Sequence, residues 1–576
     1  MKKIYSILFL LFVLINYSCG QTKIDKLDAL IGAYAQEGQF NGSVLVAEDG
    51  NIIYKKGFGM ANMEWGIPNQ PNTKFRLASV TKQFTAMLIV QLAAENKLKL
   101  DVPISTYLPD YPKKNGDIIT IHQLLTHTSG IPNFTSFSNY RQIMGEPHSP
   151  EELVNMFADS TLEFTPGDRF AYSNSGYVLL GYTIEKITGE SYEQVLQSKI
   201  FTPLKMNNSG YDHNNIVIKN RASGYNRAGT TFQHANYLDM SIPFSAGGIY
   251  STVEDLYLWD QALYGEKLLP AKYRDLLFVN HIPAGENYYG YGWELGKMTV
   301  GSTDEQLSTI SHSGSINGFG TLITRIPSER SSIILLNNTG DAPLQEMTVA
   351  ITGILHNKPY NLPKKSIAYS LLKSIEKDGL QSALSSYNEI KTSPDYKLNE
   401  SEMNMAGYQL LQSGKTKEAA AVFKLNAEAY PNSFNTYDSY GEALLAIGDT
   451  INAIENYKKS VQLNPGNENG VKVLKSLGVS TDNLIKTVSI EDLKLLEGEY
   501  LIINPAPGSN QNWKITFKEE NGTLFGNDGG YRYRLVPVED NKFINPDDGA
   551  SIAFDTKDKN SIMLTLFGRF KFRKVI

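Results

Sequence analysis

The sequence predicts three consecutive folded regions: an α+β domain, a helical domain and a small all-β domain. At about 150 residues per domain, a chain of 576 residues is too long for one compact domain. Hydrophobic residues make up 41% of the chain and charged residues 20%, which is typical of soluble globular proteins and excludes a disordered or multi-span membrane protein. The pattern of apolar residues changes twice, so we expect domains at 21–362, 363–488 and 489–576.

The first 20 residues have the three-part plan of a secretory signal. Lys2 and Lys3 are followed by an apolar run from Ile4 to Ile15 and then by a short polar segment. Cys19 resembles the acylated cysteine of a bacterial lipoprotein, whereas the small residues around it also fit ordinary cleavage before Gln21. We therefore expect an exported protein, either soluble in the periplasm or lipid-anchored in the cell envelope.

The region 21–362 mixes strand hairpins with helices. From Gly42 to Ala61, two apolar runs flank the tight-turn signal Glu48-Asp49-Gly50, which predicts a β-hairpin. Phe84 to Ala94 is apolar on all sides, which indicates a buried helix. Because both kinds of element occur together, this region is predicted to be α+β.

The region 363–488 contains an internal repeat with a period of 34 residues. The matching positions carry small, aliphatic, aromatic and proline residues: Gly407 with Gly441, Leu410 with Leu444, Gly414 with Gly448, Ala419 with Ala453, Phe423 with Tyr457, and Pro431 with Pro465. This pattern resembles tetratricopeptide repeats, which implies stacked helical hairpins and a surface for a protein partner. Helices between Ile367 and Leu398 and after Asn467 are expected to complete the stack.

The region 489–576 consists of short runs of alternating polarity separated by turn residues such as Asn521-Gly522. The pattern predicts a meander of strands that curls into a small barrel, and it contains no motif for chemistry.

Ser79 and Lys82 lie three residues apart at the start of the predicted helix and therefore share one of its faces. A serine hydroxyl is a weak nucleophile at neutral pH and needs a neighbouring base, which such a lysine can supply. The spacing alone is weak support, because Ser370 and Lys373 have it too in a segment where both are expected to be solvated.

Three further segments occur downstream in a fixed order: Leu125 to Pro132, Tyr172-Ser173-Asn174, and His312-Ser313-Gly314. Together with Ser79 to Lys82 they closely resemble the serine β-lactamase and penicillin-binding family, in its class C branch. The resemblance implies a β-lactamase/DD-peptidase-like fold, with an antiparallel sheet and a helical subdomain.

The resemblance also assigns roles to residues. Ser79 would be the acylated nucleophile, and Lys82 and Tyr172 a hydrogen-bonded pair that moves its proton. The implied substrate-binding residues are Asn174, which would hold Lys82 and the substrate amide, His312, Ser313, Gly314 and Ser315. Backbone N–H groups of Ser79 and Ser315 would form the oxyanion hole.

The third motif departs from the Lys-Thr-Gly of typical β-lactamases, because His312 replaces the lysine. An imidazole with an ordinary pKa near 6.5 is charged only at acidic pH. We expect protonated His312 to bind a substrate carboxylate and efficient β-lactam hydrolysis to be reduced; the alternative is a purely structural histidine.

Other functional classes lack support in the sequence. The net charge of −6 argues against a nucleic-acid partner. No His-Glu-x-x-His, Walker loop, dinucleotide fingerprint or Gly-x-Ser-x-Gly is present, so we expect neither a metal nor a cofactor.

The predicted function is that of a serine hydrolase acting through an acyl-serine on amides or esters, with D-Ala-type peptides as the first substrate class. A carboxylesterase, a D-aminopeptidase or a β-lactamase could use the same residues. An inactive penicillin-recognising scaffold that binds a partner through its repeats is the alternative from another class.

Overall fold

The computed structural model describes residues 21–481, 484, 488–504, 513–527, 532–546, 550–559 and 561–575. The expected signal segment and Cys19 lie outside these residues. Within the described ranges, no helix is both long enough and apolar enough to cross a membrane.

The first region is an antiparallel sheet with helices on both faces. Its strands are β1 (Gly42–Glu48), β2 (Asn51–Phe58), β3 (Met60–Asn62), β4 (Ile67–Pro68), β5 (Phe75–Arg76), β6 (Gly210–Tyr211), β7 (Tyr225–Ala228), β8 (Thr231–His234), β9 (Ile249–Ser251), β10 (Ile282–Ala284), β11 (Asn287–Tyr289), β12 (Glu294–Thr299), β13 (Gln306–Ile316), β14 (Phe319–Ile326) and β15 (Ser331–Asn337). Its helices are α1 (Lys23–Gln36), α2 (Thr81–Ala94), α3 (Lys113–Gly116), α4 (Ile121–Leu125), α5 (Tyr140–Ile143), α6 (Pro150–Asn155), α7 (Asn174–Thr188), α8 (Tyr192–Leu196), α9 (Thr202–Leu204), α10 (Phe244–Gly247), α11 (Val253–Ala262), α12 (Ala271–Arg274) and α13 (Leu344–Leu355).

The main sheet has eight strands in the order β10-β11-β12-β13-β14-β15-β1-β2. The pairing of β1 with β2 confirms the hairpin expected from the sequence, and Asp49 and Gly50 adopt the positive φ angles of a tight turn. Strand β1 also pairs with β15, so the two ends of this region meet in one sheet.

The two faces of the sheet bury different helices because side chains alternate along each strand. Val44 and Val46 of β1 pack with α1 and α13, whereas Leu45 and Ala47 face the opposite core. That second core contains α2, whose residues from Thr81 to Leu92 are all buried. Helix α2 is thus the buried helix predicted from its apolar sequence, and it begins at the nucleophile motif.

A buried ion pair fixes α11 to the sheet. The Arg325 guanidinium of β14 donates to the Asp260 carboxylate of α11 over 2.6 Å, and the two side chains are only 2% and 0% exposed. Such a pair is costly to break on one side, because the remaining charge would stay in the core without a partner.

The second region is helical, with α14 (Ile367–Asp378), α15 (Leu380–Ile390), α16 (Glu400–Gln412), α17 (Thr416–Ala429), α18 (Phe434–Ala446), α19 (Thr450–Leu463) and α20 (Glu468–Ser476), and a short parallel pair of β16 (Lys365–Ser366) and β17 (Tyr396–Lys397). Gly407 and Gly441, which match in the repeat, each pack against an aromatic ring. A Cβ on Gly407 would lie 2.5 Å from the Phe423 ring, and one on Gly441 would lie 2.9 Å from the Tyr457 ring. The sequence repeat is therefore a repeat of helix packing.

The helical region rests on the β7–β8 hairpin of the first region. The backbone N–H of Thr230 donates to the Gln409 side chain over 3.3 Å, and Gln409 Nε2 donates back to Thr230 Oγ1 over 3.2 Å. The Arg227 guanidinium lies 3.9 Å from the centre of the Tyr369 ring. The contact is therefore mostly polar and local.

The third region is a closed barrel in which α21 (Ile490–Leu496) precedes eight strands: β18 (Gly498–Ile502), β19 (Lys514–Glu520), β20 (Thr523–Asn527), β21 (Arg532–Glu539), β22 (Lys542–Ile544), β23 (Ser551–Asp555), β24 (Met563–Leu566) and β25 (Phe570–Lys574). Alternate side chains such as Ile515 and Phe517 fill its interior. The predicted small barrel is confirmed.

Replacing Arg325 by Met should destabilise the first region by about 3–5 kcal/mol, because Asp260 would remain buried and unpaired. The double variant Arg325→Met/Asp260→Leu should recover most of this loss. Urea denaturation monitored by tryptophan fluorescence measures both. Equal stabilities of the wild type and Arg325→Met would show that the pair does not fix α11.

Candidate active site

The turn that carries Ser79 is held from two sides. Ser79 lies in a single 3₁₀ turn, Ala78–Val80, which leads directly into α2. The preceding Leu77 donates its N–H to Ile249 and accepts a hydrogen bond from Thr321 Oγ1, both over 2.8 Å. Ala78 adopts a φ of +49°, a costly backbone conformation for a residue with a Cβ and one that is common at functional sites. Ser79 is thereby fixed at the N-terminus of α2.

The Lys82 amine lies beside Ser79, one turn further along α2. Its Nζ is 3.1 Å from Ser79 Oγ, 2.8 Å from Asn174 Oδ1 and 2.9 Å from the Ala246 carbonyl oxygen. The side chain is fully buried, and burial lowers the pKa of Lys82 well below its ordinary value. A carboxylate partner, which would favour the charged form, does not occur among these contacts.

Three oxygen atoms around Nζ fit either an ammonium, with three N–H donors, or a neutral amine, with two N–H donors and a lone pair. The amide oxygen of Asn174 and the carbonyl of Ala246 can only accept, so in the neutral form they take both donors and the lone pair faces the hydroxyl of Ser79. Because burial favours the neutral form, Lys82 is placed to act as a base toward the serine.

Tyr172 contacts the same serine, and burial raises its pKa above the ordinary value although a hydrogen bond with Ser79 partly offsets this. Its phenol is therefore protonated at neutral pH. Lys82 Nζ lies 4.8 Å from the centre of the Tyr172 ring. The Lys82 amine therefore lies over the face of the Tyr172 ring, and both residues contact Ser79. This differs from the direct hydrogen bond between Lys82 and Tyr172 that the resemblance implied.

Strand β13 borders the site with a free edge. Its pairing with β12 stops at Ser311, whereas its pairing with β14 continues to Ile316. From His312 onwards, the other edge of the strand can pair with a substrate backbone. A Cβ on Gly314 would lie 2.3 Å from the Leu77 carbonyl oxygen, so only glycine lets this strand approach the nucleophile turn.

The structure corrects our expectation for His312. The imidazole is buried, and burial is the main cause of its low pKa of about 3. Its Nδ1 donates to the Ser313 carbonyl over 2.6 Å, and Nε2 lies 2.9 Å from the Tyr289 hydroxyl, which therefore donates to it. His312 is neutral near pH 7 and does not provide the expected pH-dependent positive charge.

The cleft in front of Ser79 has a volume of about 180 Å³. Ser79, Asn174 and Ser315 line it, together with Thr135 and Leu238. Ser313 is exposed on the same strand, whereas Lys82 and His312 lie buried beneath the surface. No lysine, arginine, aspartate or glutamate lines this cleft in the part of the chain described, so the cleft is uncharged.

Part of the chain is similar to known proteins. The beta-lactamase family profile matches residues 27–354, which is more than half of the chain. The chain belongs to the beta-lactamase family. Over 368 residues it is 31% identical to penicillin-binding protein 4* of Bacillus subtilis, covering 60% of this chain and 79% of that protein.

Two solved structures of similar fold extend the comparison. The penicillin binding protein from Bacillus halodurans is 28% identical, with a TM-score of 0.50, and the match covers 56% of this chain and 98% of that one. The D-amino acid amidase from Ochrobactrum anthropi, complexed with D-phenylalanine, is 25% identical with a TM-score of 0.50, covering 58% and 99%. Relatives in this beta-lactamase family thus support a serine hydrolase.

His127 is a site residue to which the sequence gave no role, although it lies in the Leu125 to Pro132 segment. Its Nδ1 accepts the backbone N–H of Ser173 over 3.1 Å, and its ring lies 4.3 Å from that of Tyr172. Burial is the main cause that lowers the pKa of His127 well below its ordinary value. A neutral His127 therefore fixes the backbone between Tyr172 and Asn174.

The carbonyl of Ala246, on α10, was also missed. Backbone acceptors carry no residue-specific signal. Tyr289, which orients His312, lies on β11, and no sequence motif marks it. Among the described residues, no group of His, Cys, Asp and Glu side chains is arranged to hold a metal ion.

His127→Leu should lower kcat by about tenfold or more, because the buried N–H of Ser173 would lose its acceptor and Tyr172 its position. His127→Asn should retain more activity, since its side-chain oxygen can accept the same N–H and asparagine tolerates the φ of +56°.

Steady-state kinetics with matched thermal stabilities test the role of His127. KM and the pH profile should change little, because the residue acts through Tyr172. If the His127→Leu variant had the kcat of the wild type, His127 would not position Tyr172.

Proposed function

We propose that this protein is a serine hydrolase that cleaves amides or esters through an acyl-Ser79 intermediate. The observation that carries the proposal is the buried amine of Lys82, whose Nζ lies 3.1 Å from Ser79 Oγ and is otherwise held by the oxygens of Asn174 and Ala246. The chemistry needs no group beyond these side chains and a water molecule.

In the first half of the reaction, Ser79 Oγ attacks the carbonyl carbon of the substrate while Lys82 Nζ takes its proton. The backbone N–H groups of Ser79 and Ser315 would stabilise the resulting oxyanion. The C–N or C–O bond then breaks, and the leaving group takes a proton from the Tyr172 hydroxyl, which regains one from Lys82. Water reverses these proton transfers in the second half and releases the acid.

For the substrate, we propose D-Ala-type peptides and D-amino-acid amides as the first class. The relatives named penicillin-binding proteins and D-amino acid amidase support a D-configured acyl donor. The cleft offers no lysine or arginine to pair with a substrate carboxylate, which keeps neutral amides and esters in the proposal beside the peptides. The His312-Ser313-Gly314 motif is the feature that supports a class C, peptidase-like position in the family rather than an efficient β-lactamase.

A fluorophosphonate should label Ser79 covalently, and intact-mass spectrometry should show one adduct that is absent from Ser79→Ala. Lys82→Ala and Tyr172→Phe should each slow the labelling by about 10²-fold, the usual scale for loss of a positioned acid or base. Ser370→Ala, which removes the serine of the second Ser-x-x-Lys spacing, is the matched control and should label normally. Absence of labelling in the wild type would favour the inactive scaffold.

A matched pair of peptides tests the neutral His312. A D-Ala-D-Ala peptide with a free carboxylate and the same peptide as its carboxamide should show a constant ratio of kcat/KM between about pH 5.5 and 8. The reason is that a pKa of about 3 leaves His312 neutral throughout this range. If kcat/KM fell with rising pH for the carboxylate peptide alone, with a midpoint near pH 6.5, this neutral His312 would be wrong and the protonated form would bind the carboxylate.

For the helical region, we propose tetratricopeptide-like repeats that bind a protein partner or position the enzyme. The equivalent glycine–aromatic contacts of Gly407 with Phe423 and Gly441 with Tyr457 support this assignment.

A protein truncated after Lys364 should hydrolyse a small ester within about threefold of the full-length rate, because the contacts of the β7–β8 hairpin with the repeats are few and polar. Circular dichroism must show that the truncated protein is folded. Near-complete loss of turnover in a folded fragment would show that the repeats are part of the catalytic unit.

A further inference from the structure

A second cavity, the side cavity, lies behind one wall of the acylation cleft. Its volume is about 560 Å³, and the segment from Tyr237 to Phe244 separates it from the cleft. Leu238 and Pro243 of this segment line the cleft, whereas Tyr237, Asp239 and Phe244 line the side cavity. The two cavities therefore share a wall one segment thick but no lining residue.

Aromatic rings form much of the wall of the side cavity. The Tyr192 ring lies 5.3 Å from that of Phe244 and 6.3 Å from that of Tyr211. Tyr192 and Phe244 are buried, whereas Tyr237 is 58% exposed at the edge. Aromatic rings attract a ligand cation through their negative faces.

The charged side chains of the lining are acidic. Glu185, Glu193 and Asp239 line the cavity, whereas no lysine or arginine of the described chain does. Asp212 also lines it, but it is already paired with Arg76 and Arg221. Two histidines, His148 and His213, complete the titratable lining, and His213 contacts Glu193 over 2.8 Å.

Two of the carboxylates are half-buried and bonded to uncharged donors. Glu185 accepts the backbone N–H of Tyr192 over 2.8 Å, and burial raises its pKa. Asp239 accepts from the N–H and hydroxyl of Ser241 and from the Tyr237 hydroxyl. A cation in the cavity would offset the cost of desolvating Glu185. The pKa of Asp239 is already lowered, although burial opposes this, by its hydrogen bonds and by His148, so Asp239 offers a carboxylate in its charged form.

We propose that the side cavity binds a small organic ammonium ion, held over the rings of Tyr192, Tyr211 and Phe244 and paired with Glu185 and Asp239. None of these residues takes part in acyl transfer, so the site would exist whether or not Ser79 is acylated. It would bind a cation, whereas no charged side chain of the described residues lines the acylation cleft.

The side cavity is also connected to the reaction centre. The Tyr192 hydroxyl lies 2.6 Å from Thr85 Oγ1, which donates over 2.6 Å to the Ser245 carbonyl. The next residue, Ala246, supplies the carbonyl that holds Lys82. A ligand against Tyr192 and Phe244 thus contacts the short helix that orients the base.

Isothermal titration of the full-length protein with matched probes tests the site. Choline is compared with 3,3-dimethylbutan-1-ol, in which carbon replaces the charged nitrogen, and butylammonium with butan-1-ol. At least one ammonium ion should bind about tenfold or more tightly than its neutral counterpart. Equal affinities within both pairs, or no binding of either ion, would overturn the proposal.

Substitutions then locate the binding. Glu185→Gln and Asp239→Asn keep an oxygen acceptor for the existing hydrogen bonds and should each weaken ammonium binding by about fivefold or more. Tyr237→Leu, at an exposed position, should also weaken it. Glu190→Gln removes an exposed carboxylate outside the lining and should bind as the wild type does. Wild-type affinity in both Glu185→Gln and Asp239→Asn would place any binding elsewhere and refute the site.

Discussion

The amine of Lys82 is the group around which the reaction centre is organised. It lies in a core where α2 is buried on every side, so the ammonium form would be strongly desolvated. Three oxygen atoms from three separate parts of the chain surround it: Ser79 from the nucleophile turn, Asn174 from the start of α7, and Ala246 from α10. The position of each element follows from the need to satisfy this one buried nitrogen.

Strained backbone angles and close packing around Lys82 help to hold these groups in place. Ala78, His127 and Phe244 all have positive φ angles. Ala78 precedes Ser79, the ring of His127 lies 4.3 Å from that of Tyr172, and Phe244 begins the short helix that contains Ala246. Gly314 brings β13 against the nucleophile turn where no Cβ fits. A network this tightly packed holds its base and nucleophile without rearrangement, which is how preorganised sites lower reaction barriers.

Much of the fold and of the site could be predicted from local sequence. Apolar runs on either side of Asp49 and Gly50 predicted the first hairpin, the 34-residue period predicted the paired helices around Gly407 and Gly441, and alternating runs predicted the barrel. The segments containing Ser79, Lys82, Tyr172 and Asn174 converge because each of them borders α2 or α7. The roles of these side chains remain predictions.

What local sequence could not reveal was the environment of each group. His312 was expected to titrate near neutral pH, but burial lowers its pKa to about 3, and the Tyr289 hydroxyl lies 2.9 Å from its Nε2. The same limitation hid His127 and the Ala246 carbonyl, whose functions depend on partners distant in sequence. The side cavity likewise exists only because α8, the loop before α6 and the Tyr237 to Phe244 segment meet in space.

The protonation state of Lys82 is the most direct test of this account. Nuclear magnetic resonance of protein labelled with ¹³C at lysine Cε, with Lys82→Met for assignment, follows the amine as pH changes. We expect the Lys82 resonance to have the shift of a neutral amine at pH 7, while the exposed lysines have that of ammonium. A charged Lys82 at pH 7 would contradict the account, because the serine would then face a third N–H donor instead of a base.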